Sequence, residues 1–258
     1  MNGLRIPVFE KGNIVTAEML EAVKALPVDY QTIRYSGYSN GILTGCKVSI
    51  NDGEILVGKG IIVFEENLYY ITEPLSVMYQ ASNEWCILQV VVGNKMSYRN
   101  VEEQELEAVL TSEAAKRLDG IEVCRFRLQA GAMLRGNYRN FQDLETEYDT
   151  INEIYAEWSS FEESTVSARL LRCFAEELGK KPLEPIDFMM CQQIYQMNGQ
   201  SLNRRALITY LNQRLQLKKE HYTNKEIYQK MTEITRMQQG RGPRMPERPQ
   251  RATRIIVD

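Results

Sequence analysis

The sequence is short of the groups from which most catalytic and metal sites are built. One histidine, His221, serves 258 residues, and it sits among Lys218, Lys219 and Glu220, which reads as solvated surface. A single imidazole leaves little room for Ser-His-Asp, Cys-His or His-rich metal chemistry. The five cysteines, Cys46, Cys86, Cys124, Cys173 and Cys191, are scattered, no two form a C-x-x-C pair, and most have apolar neighbours. That pattern reads as buried thiols in a reducing compartment rather than as disulfides or a zinc site. Long apolar runs are also missing: Ile61-Ile62-Val63-Phe64 is typical, far short of a membrane-spanning helix. Met1-Asn2-Gly3-Leu4-Arg5 lacks the apolar core of a secretory signal, and no Asn-x-Ser/Thr acceptor occurs. A net charge of −3 gives no whole-molecule attraction to nucleic acid or to a membrane surface. The expectation is a cytoplasmic protein without membrane insertion, cofactor or metal.

What is present is enough apolar content, 43 %, to bury a sizeable core. The clearest pattern runs from Gly41 to Thr72 and reads as a β-meander. Cys46, Val48 and Ile50 share one strand face, Asn51-Asp52-Gly53 suits a hairpin turn, and Ile55 and Val57 resume the alternation. Gly53-Glu-Ile-Leu-Val-Gly58-Lys59-Gly60 matches most of a P-loop. A working P-loop needs a hydroxyl after the lysine and then a helix, whereas Gly60 and β-branched Ile61, Ile62 and Val63 follow here. The stretch reads as a hairpin with glycines at its bends. Further strands are expected at Leu4–Phe9, Trp85–Val92, near 105–111 with a helical turn after Ser112, and at Glu122–Leu128. A short helix capped by Thr16, with Met19, Leu20, Val23 and Leu26 on its apolar positions, is expected to end at Pro27.

After Leu128 the period changes. Phe141, Leu144, Tyr148, Ile151, Tyr155 and Trp158 follow a 3-4-3-4-3 spacing, which predicts a helix of about five turns. Its aromatic-rich stripe suits either the inner face of a bundle or an oligomer seam, and it is a candidate partner-binding surface. Four more helices are expected: one capped by Ser164 and ended by Gly179, one opening at Pro185, one from Ser201, and one under the capping box Thr223/Glu226. The last residues, 240–258, carry Arg241, Arg244, Arg248, Arg251 and Arg254 between prolines and read as a disordered basic arm. The arm is a second candidate contact, for an acidic protein surface or for nucleic acid, or a soluble tail. Adjacent pairs such as Glu102-Glu103 and Glu176-Glu177 point their side chains apart and form no general acid and base.

The fold class expected is α+β: an N-terminal antiparallel β-rich domain, sandwich or meander, over 1–135, an α-helical bundle over 136–239, and the tail. Two segments, GILTGCKVSINDGEILVGKGIIVFEENLYYI and IEVCRFRLQAGAMLRGNYRNFQDL, resemble the N-terminal β-domains of phage tail-fibre and baseplate-attachment proteins. The order of β-domain and helices is similar to the shell and stalk of the TssK-type baseplate subunit of type VI secretion. The resemblance spans roughly residues 38–145 and implies a non-enzymatic adaptor, commonly a homotrimer, whose partners are other subunits of a baseplate-like assembly. An accessory protein that uses the basic arm on nucleic acid is the alternative.

Overall fold

The computed structural model describes residues 6–99 and 101–240. Residues 6–16 carry no helix or strand, so the expected strand at Leu4–Phe9 is not found over its described part. Among the described residues no strand pairs with this segment, and Pro7 has no N–H to donate to one. Helix α1, Ala17–Arg34, opens under Thr16, whose Oγ1 accepts from the Met19 amide at 3.3 Å. It does not end at Pro27 but carries the proline inside. A proline removes one intrahelical hydrogen bond and crowds the preceding turn, yet residues beyond it can keep helical dihedrals.

Eleven strands follow among the described residues: β1 Gly41–Gly45, β2 Val48–Asn51, β3 Glu54–Val57, β4 Gly60–Phe64, β5 Asn67–Ile71, β6 Leu75–Met78, β7 Trp85–Val92, β8 Met96–Tyr98, β9 Val101–Glu103, β10 Leu106–Ser112 and β11 Gly120–Arg127. They form antiparallel sheets ordered β1-β4-β5, β2-β3-β6 and β10-β7-β11, with a separate β8-β9 hairpin. The strand near 105–111 and the turn after it, a 3-10 segment at Glu113–Ala115, stand where the alternation placed them. The three larger sheets share one core, with Ile42, Val48, Ile55, Ile62, Leu88 and Ile121 all buried.

The Gly41–Thr72 stretch is therefore not one meander but is divided between two sheets. A single long hairpin is bent at its middle. Its outer half pairs Val48 to Val57 through Asn51 to Glu54, and Asp52 (φ 41°) and Gly53 (φ 86°) supply the two left-handed turn residues. Its inner half pairs Gly45 with Gly60 and Gly41 with Val63. At the bend Cys46 N donates to Lys59 O at 3.0 Å and Gly58 N to Lys47 O at 2.9 Å, so pairing continues round the corner. Gly45 holds φ 74°, and a Cβ there would lie 2.3 Å from Lys59 O; a Cβ on Gly60 would lie 2.5 Å from Cys46 N. The backbones cross too closely for any side chain. Gly58-Lys59-Gly60 is thus the return side of this bend, between two strands.

Four helices come last: α2 Ala168–Leu178, α3 Pro185–Gln196, α4 Arg204–Leu215 and α5 Asn224–Gly240. The caps differ in part from those expected. Ser167 rather than Ser164 accepts from the first amides of α2, and Asn203 rather than Ser201 caps α4. Proline opens α3, and Thr223 with Glu226 forms the reciprocal box of α5, at 2.8 and 3.2 Å. Their inward faces make a second core, which includes Leu170, Phe174, Ile194, Leu211, Tyr228 and Met231.

The hairpin bend gives a stability prediction. Gly60→Ala places its methyl group against fixed backbone and should cost about 3 kcal/mol. Gly53→Ala meets nothing within 4 Å and should cost only the left-handed dihedral, about 1 kcal/mol. Urea denaturation of the two variants measures the gap; equal costs would show that the crossing at Gly60 is not tight.

Candidate functional site

The stretch singled out as a helical seam, 141–158, is not a helix. Only Phe141–Glu145 coils, as a short 3-10 segment capped by Asn140. From Asp149 to Ser159 the chain is an irregular extended strap. Asp149 N donates to Arg127 O at 2.8 Å, Asn152 and Arg125 exchange both amide bonds at 2.7 and 2.9 Å, and Glu157 N donates to Glu122 O at 2.9 Å. The strap so runs along the free edge of β11. It then reaches β1, where Ile42 N donates to Glu157 O and Ser159 N to Ile42 O, both at 2.8 Å.

The six stripe residues do not share one face: four enter the two cores and two lie at their edge. Phe141 and Leu144 enter the helical core, with the Phe141 ring 5.5 Å from Phe174 and 5.0 Å from Tyr228. Ile151 and Trp158 enter the β core. Tyr148 and Tyr155 are half-buried under Arg127 and Arg125, whose guanidinium carbons lie 4.6 and 3.9 Å above the rings. The helical seam is therefore corrected: these side chains serve the packing of their own chain. Arg241, Arg244, Arg248, Arg251 and Arg254 lie outside the described residues.

Charged side chains fasten the strap. Glu122, on β11 and only 1 % exposed, accepts from Arg125 Nε at 2.7 Å and from Lys116 Nζ at 2.9 Å, and Lys116 also reaches Glu157 of the strap at 2.6 Å. Glu153 accepts from Arg169 of α2 at 2.6 Å and from Ser167, the cap of α2, at 3.1 Å. Ahead of the strap, Asp143 takes both arms of Arg135 at 2.6 Å and the Arg139 amide at 2.8 Å. The Arg135 guanidinium holds its carboxyl well below the usual carboxylate range. Among the helices, buried Asp187 of α3 accepts from Tyr210 and from Arg214 Nε, each at 2.9 Å. Each of these carboxylates is spent on a cation of its own chain, which leaves it poorly placed as a base.

Burial pushes the thiol of Cys46 up to about 12, those of Cys173 and Cys191 up to about 11, and that of Cys124 well above its usual value. His221 is exposed at the rim of a shallow hollow beside Glu162 and Arg205. Among the described residues no three His, Cys, Asp or Glu side chains cluster as metal ligands. Among them, too, no helix is long and apolar enough to cross a membrane.

One concavity was invisible in sequence. A cleft of about 380 Å³ opens where the hairpin bend, Cys46 to Val48, meets the start of α2 and the end of α3. Its floor includes Trp158, Val123 and Ile194, and Lys47 and Arg172 stand at its mouth. Its residues come from five separate stretches of chain, so no local motif could announce it.

No family model matches the sequence, and no curated protein does either. Among solved structures, the crystal structure of TssK is similar over 92 % of this chain and 69 % of its own, at 11 % identity and TM-score 0.36. A cryo-electron microscopy structure of the TssK-TssF-TssG baseplate subcomplex of the type VI secretion system is similar over 92 % of this chain and 99 % of its own, at 10 % identity and TM-score 0.37. The baseplate complex of that system gives TM-score 0.31 at 10 % identity, over the same shares. These are weak resemblances of fold, and the role of this chain has to be argued from its own residues.

Two measurements check the electrostatics. In the native protein at pH 8, iodoacetamide should leave buried Cys46, Cys124 and Cys191 unmodified, and mass spectrometry after unfolding should show all three reacting; native labelling of any would contradict its burial. Asp143→Asn should cost about 2 kcal/mol at pH 7. The depressed folded-state value means that Asp143 stabilises above its unfolded value near 3.8 and loses this as pH falls below it. Urea titrations should therefore show the gap between wild type and Asp143→Asn closing as pH falls from 5 to 2.

Proposed function

We propose that the chain is a non-enzymatic structural or adaptor subunit of a phage-tail-like contractile injection machine, which joins a baseplate to other components through protein–protein contacts. In this reading the β-rich part to about residue 135 is the shell, residues 136–239 are the stalk, and the protein works as a homo-oligomer, a trimer as in the proteins its segments resemble. The observation that carries the interaction role is the apolar exposure of the N-terminal segment. Of the 22 large hydrophobic side chains exposed among the described residues, 11 fall within residues 6–33. Exposed apolar side chains scattered singly are ordinary, whereas a contiguous concentration marks a contact surface. The other support is chemical: the buried carboxylates and thiols described above are engaged or held protonated.

The test is co-expression with sheath, tube and baseplate proteins of a contractile injection machine from the same genome, followed by size exclusion. The expected result is one stable complex with a baseplate component. Phe9→Asp with Ile14→Asp, both at exposed positions, should weaken that complex at least tenfold without changing the melting temperature of the chain alone. Failure to bind any of these proteins would refute the assignment.

A further inference from the structure

Helix α1 presents a second pattern within that segment. Met19, Val23, Leu26, Tyr30 and Ile33 are spaced 4-3-4-3, the a and d positions of a heptad: Val23 and Tyr30 at a, Met19, Leu26 and Ile33 at d. The residues of this row leave much of their surface in water, with Val23 46 %, Leu26 40 %, Tyr30 66 % and Ile33 78 % exposed. Ala22 alone is buried along the whole helix, so α1 rests on its own chain by one edge and turns the row outward.

A helix in this state is under-supported. Eighteen residues with an internal proline are marginal without tertiary packing. A heptad row of this kind asks for another helix, and the flanking charges say which one. In this register Asp29 falls at g and Arg34 at e. A parallel, in-register pairing of two copies sets g of one helix beside e of the next heptad in its partner, which brings Asp29 against Arg34 across the seam. An antiparallel pairing sets g against g and e against e. There the g positions hold Ala22 and Asp29 and the e positions Leu20, Pro27 and Arg34, so no opposite charges meet.

We infer that α1 is a self-association seam: a second copy of this chain packs its own α1 alongside, parallel and in register, through Val23, Leu26, Tyr30 and Ile33. The inference deepens the homo-oligomer part of the proposed function and places the contact on α1. It adds that the exposed lead-in before α1 is left for other subunits.

Cysteine scanning of the full-length protein tests it. Ile33→Cys lies on the seam, away from the midpoint of the helix, and Val28→Cys lies on the outer face at f. Under mild oxidation Ile33→Cys should form a covalent dimer in high yield, while Val28→Cys and the wild type should not. An antiparallel seam would put the two Ile33→Cys thiols at opposite ends and give no such product, and neither would a helix that binds only a foreign partner; either result overturns the inference. Light scattering gives a second reading. Val23→Glu with Ile33→Glu should reduce the measured mass to that of a single chain, 29.9 kDa. Asp29→Arg and Arg34→Asp alone should each weaken association roughly twofold to fivefold, and together they should restore it. A wild-type chain that is a monomer at every concentration also overturns the seam. If that monomer still binds a baseplate component, the adaptor reading stands without it.

Discussion

The structure depends on the main-chain pairing of one irregular stretch, Asp149–Ser159, to two different sheets. Strand β11 has β7 on one side only, and β1 has β4 on one side only. Each would otherwise present unpaired amides and carbonyls. The strap covers both, along β11 from Arg127 to Glu122 and then at Ile42 of β1. An extended strap cannot satisfy its own backbone, so its outward groups need side chains. Tyr138 Oη donates to Ile151 O at 2.8 Å, Asn224 Nδ2 to Ala156 O at 3.2 Å, and Asn152 Oδ1 accepts from the Ile154 amide at 2.9 Å. A helix here would have closed its hydrogen bonds on itself and left both sheet edges open.

This explains why the strongest periodic signal in the C-terminal half misled. Apolar spacing reports that a residue is buried, and it reports a helix only when every buried residue faces the same core. Along this stretch there are two cores, so Ile151 and Trp158 of the strap face one while Ile154, and Leu144 just ahead of the strap, face the other. The contrary signal was in the polar residues between. Asp143, Thr146, Asp149, Thr150 and Asn152 are weak helix formers that bond to nearby backbone. Asp149 adopts a left-handed dihedral and Asn152 bonds within its own turn. The hairpin was misread for a related reason: alternation runs unbroken through Cys46 and Lys47, while the chain changes sheet there. The glycines marked the bends, but which strand each half would join is a tertiary matter.

Where the signal is chemical and local, the sequence was legible. Pro185 and the Thr223/Glu226 box each act on groups within one helical turn, and each is found where the residues predict it. The same reasoning slipped at Ser164 and Ser201, because a capping hydroxyl competes with others nearby. Ser164 lends its carbonyl to Arg204, and Ser201 donates to Val166 O, so both hold the strap's exit against α4. Pro27 shows the opposite limit. A proline disfavours a helix by a limited local amount, and α1 continues past it to Arg34. The cleft, and the ion pairs that flank it, had no local signature at all.

The strap also ties the two cores to each other. Glu153 holds the cap of α2 through Ser167 and its first turn through Arg169, while its neighbour Asn152 is paired to β11. Arg204, 8 % exposed, reaches Ser164 O and Asn224, and Asn224 reaches back to Ala156 O. The starts of α2, α4 and α5 are thus all anchored on one short piece of chain that is itself part of the β core. Removing one partner of a buried pair such as Glu153 and Arg169 leaves the other charge uncompensated, so these contacts are costly to break. Flexible attachment would need the opposite, a few exposed contacts and a polar linker. Through these contacts a displacement at the helical end is carried to the sheets. The lead-in and α1 contribute no residue to either core.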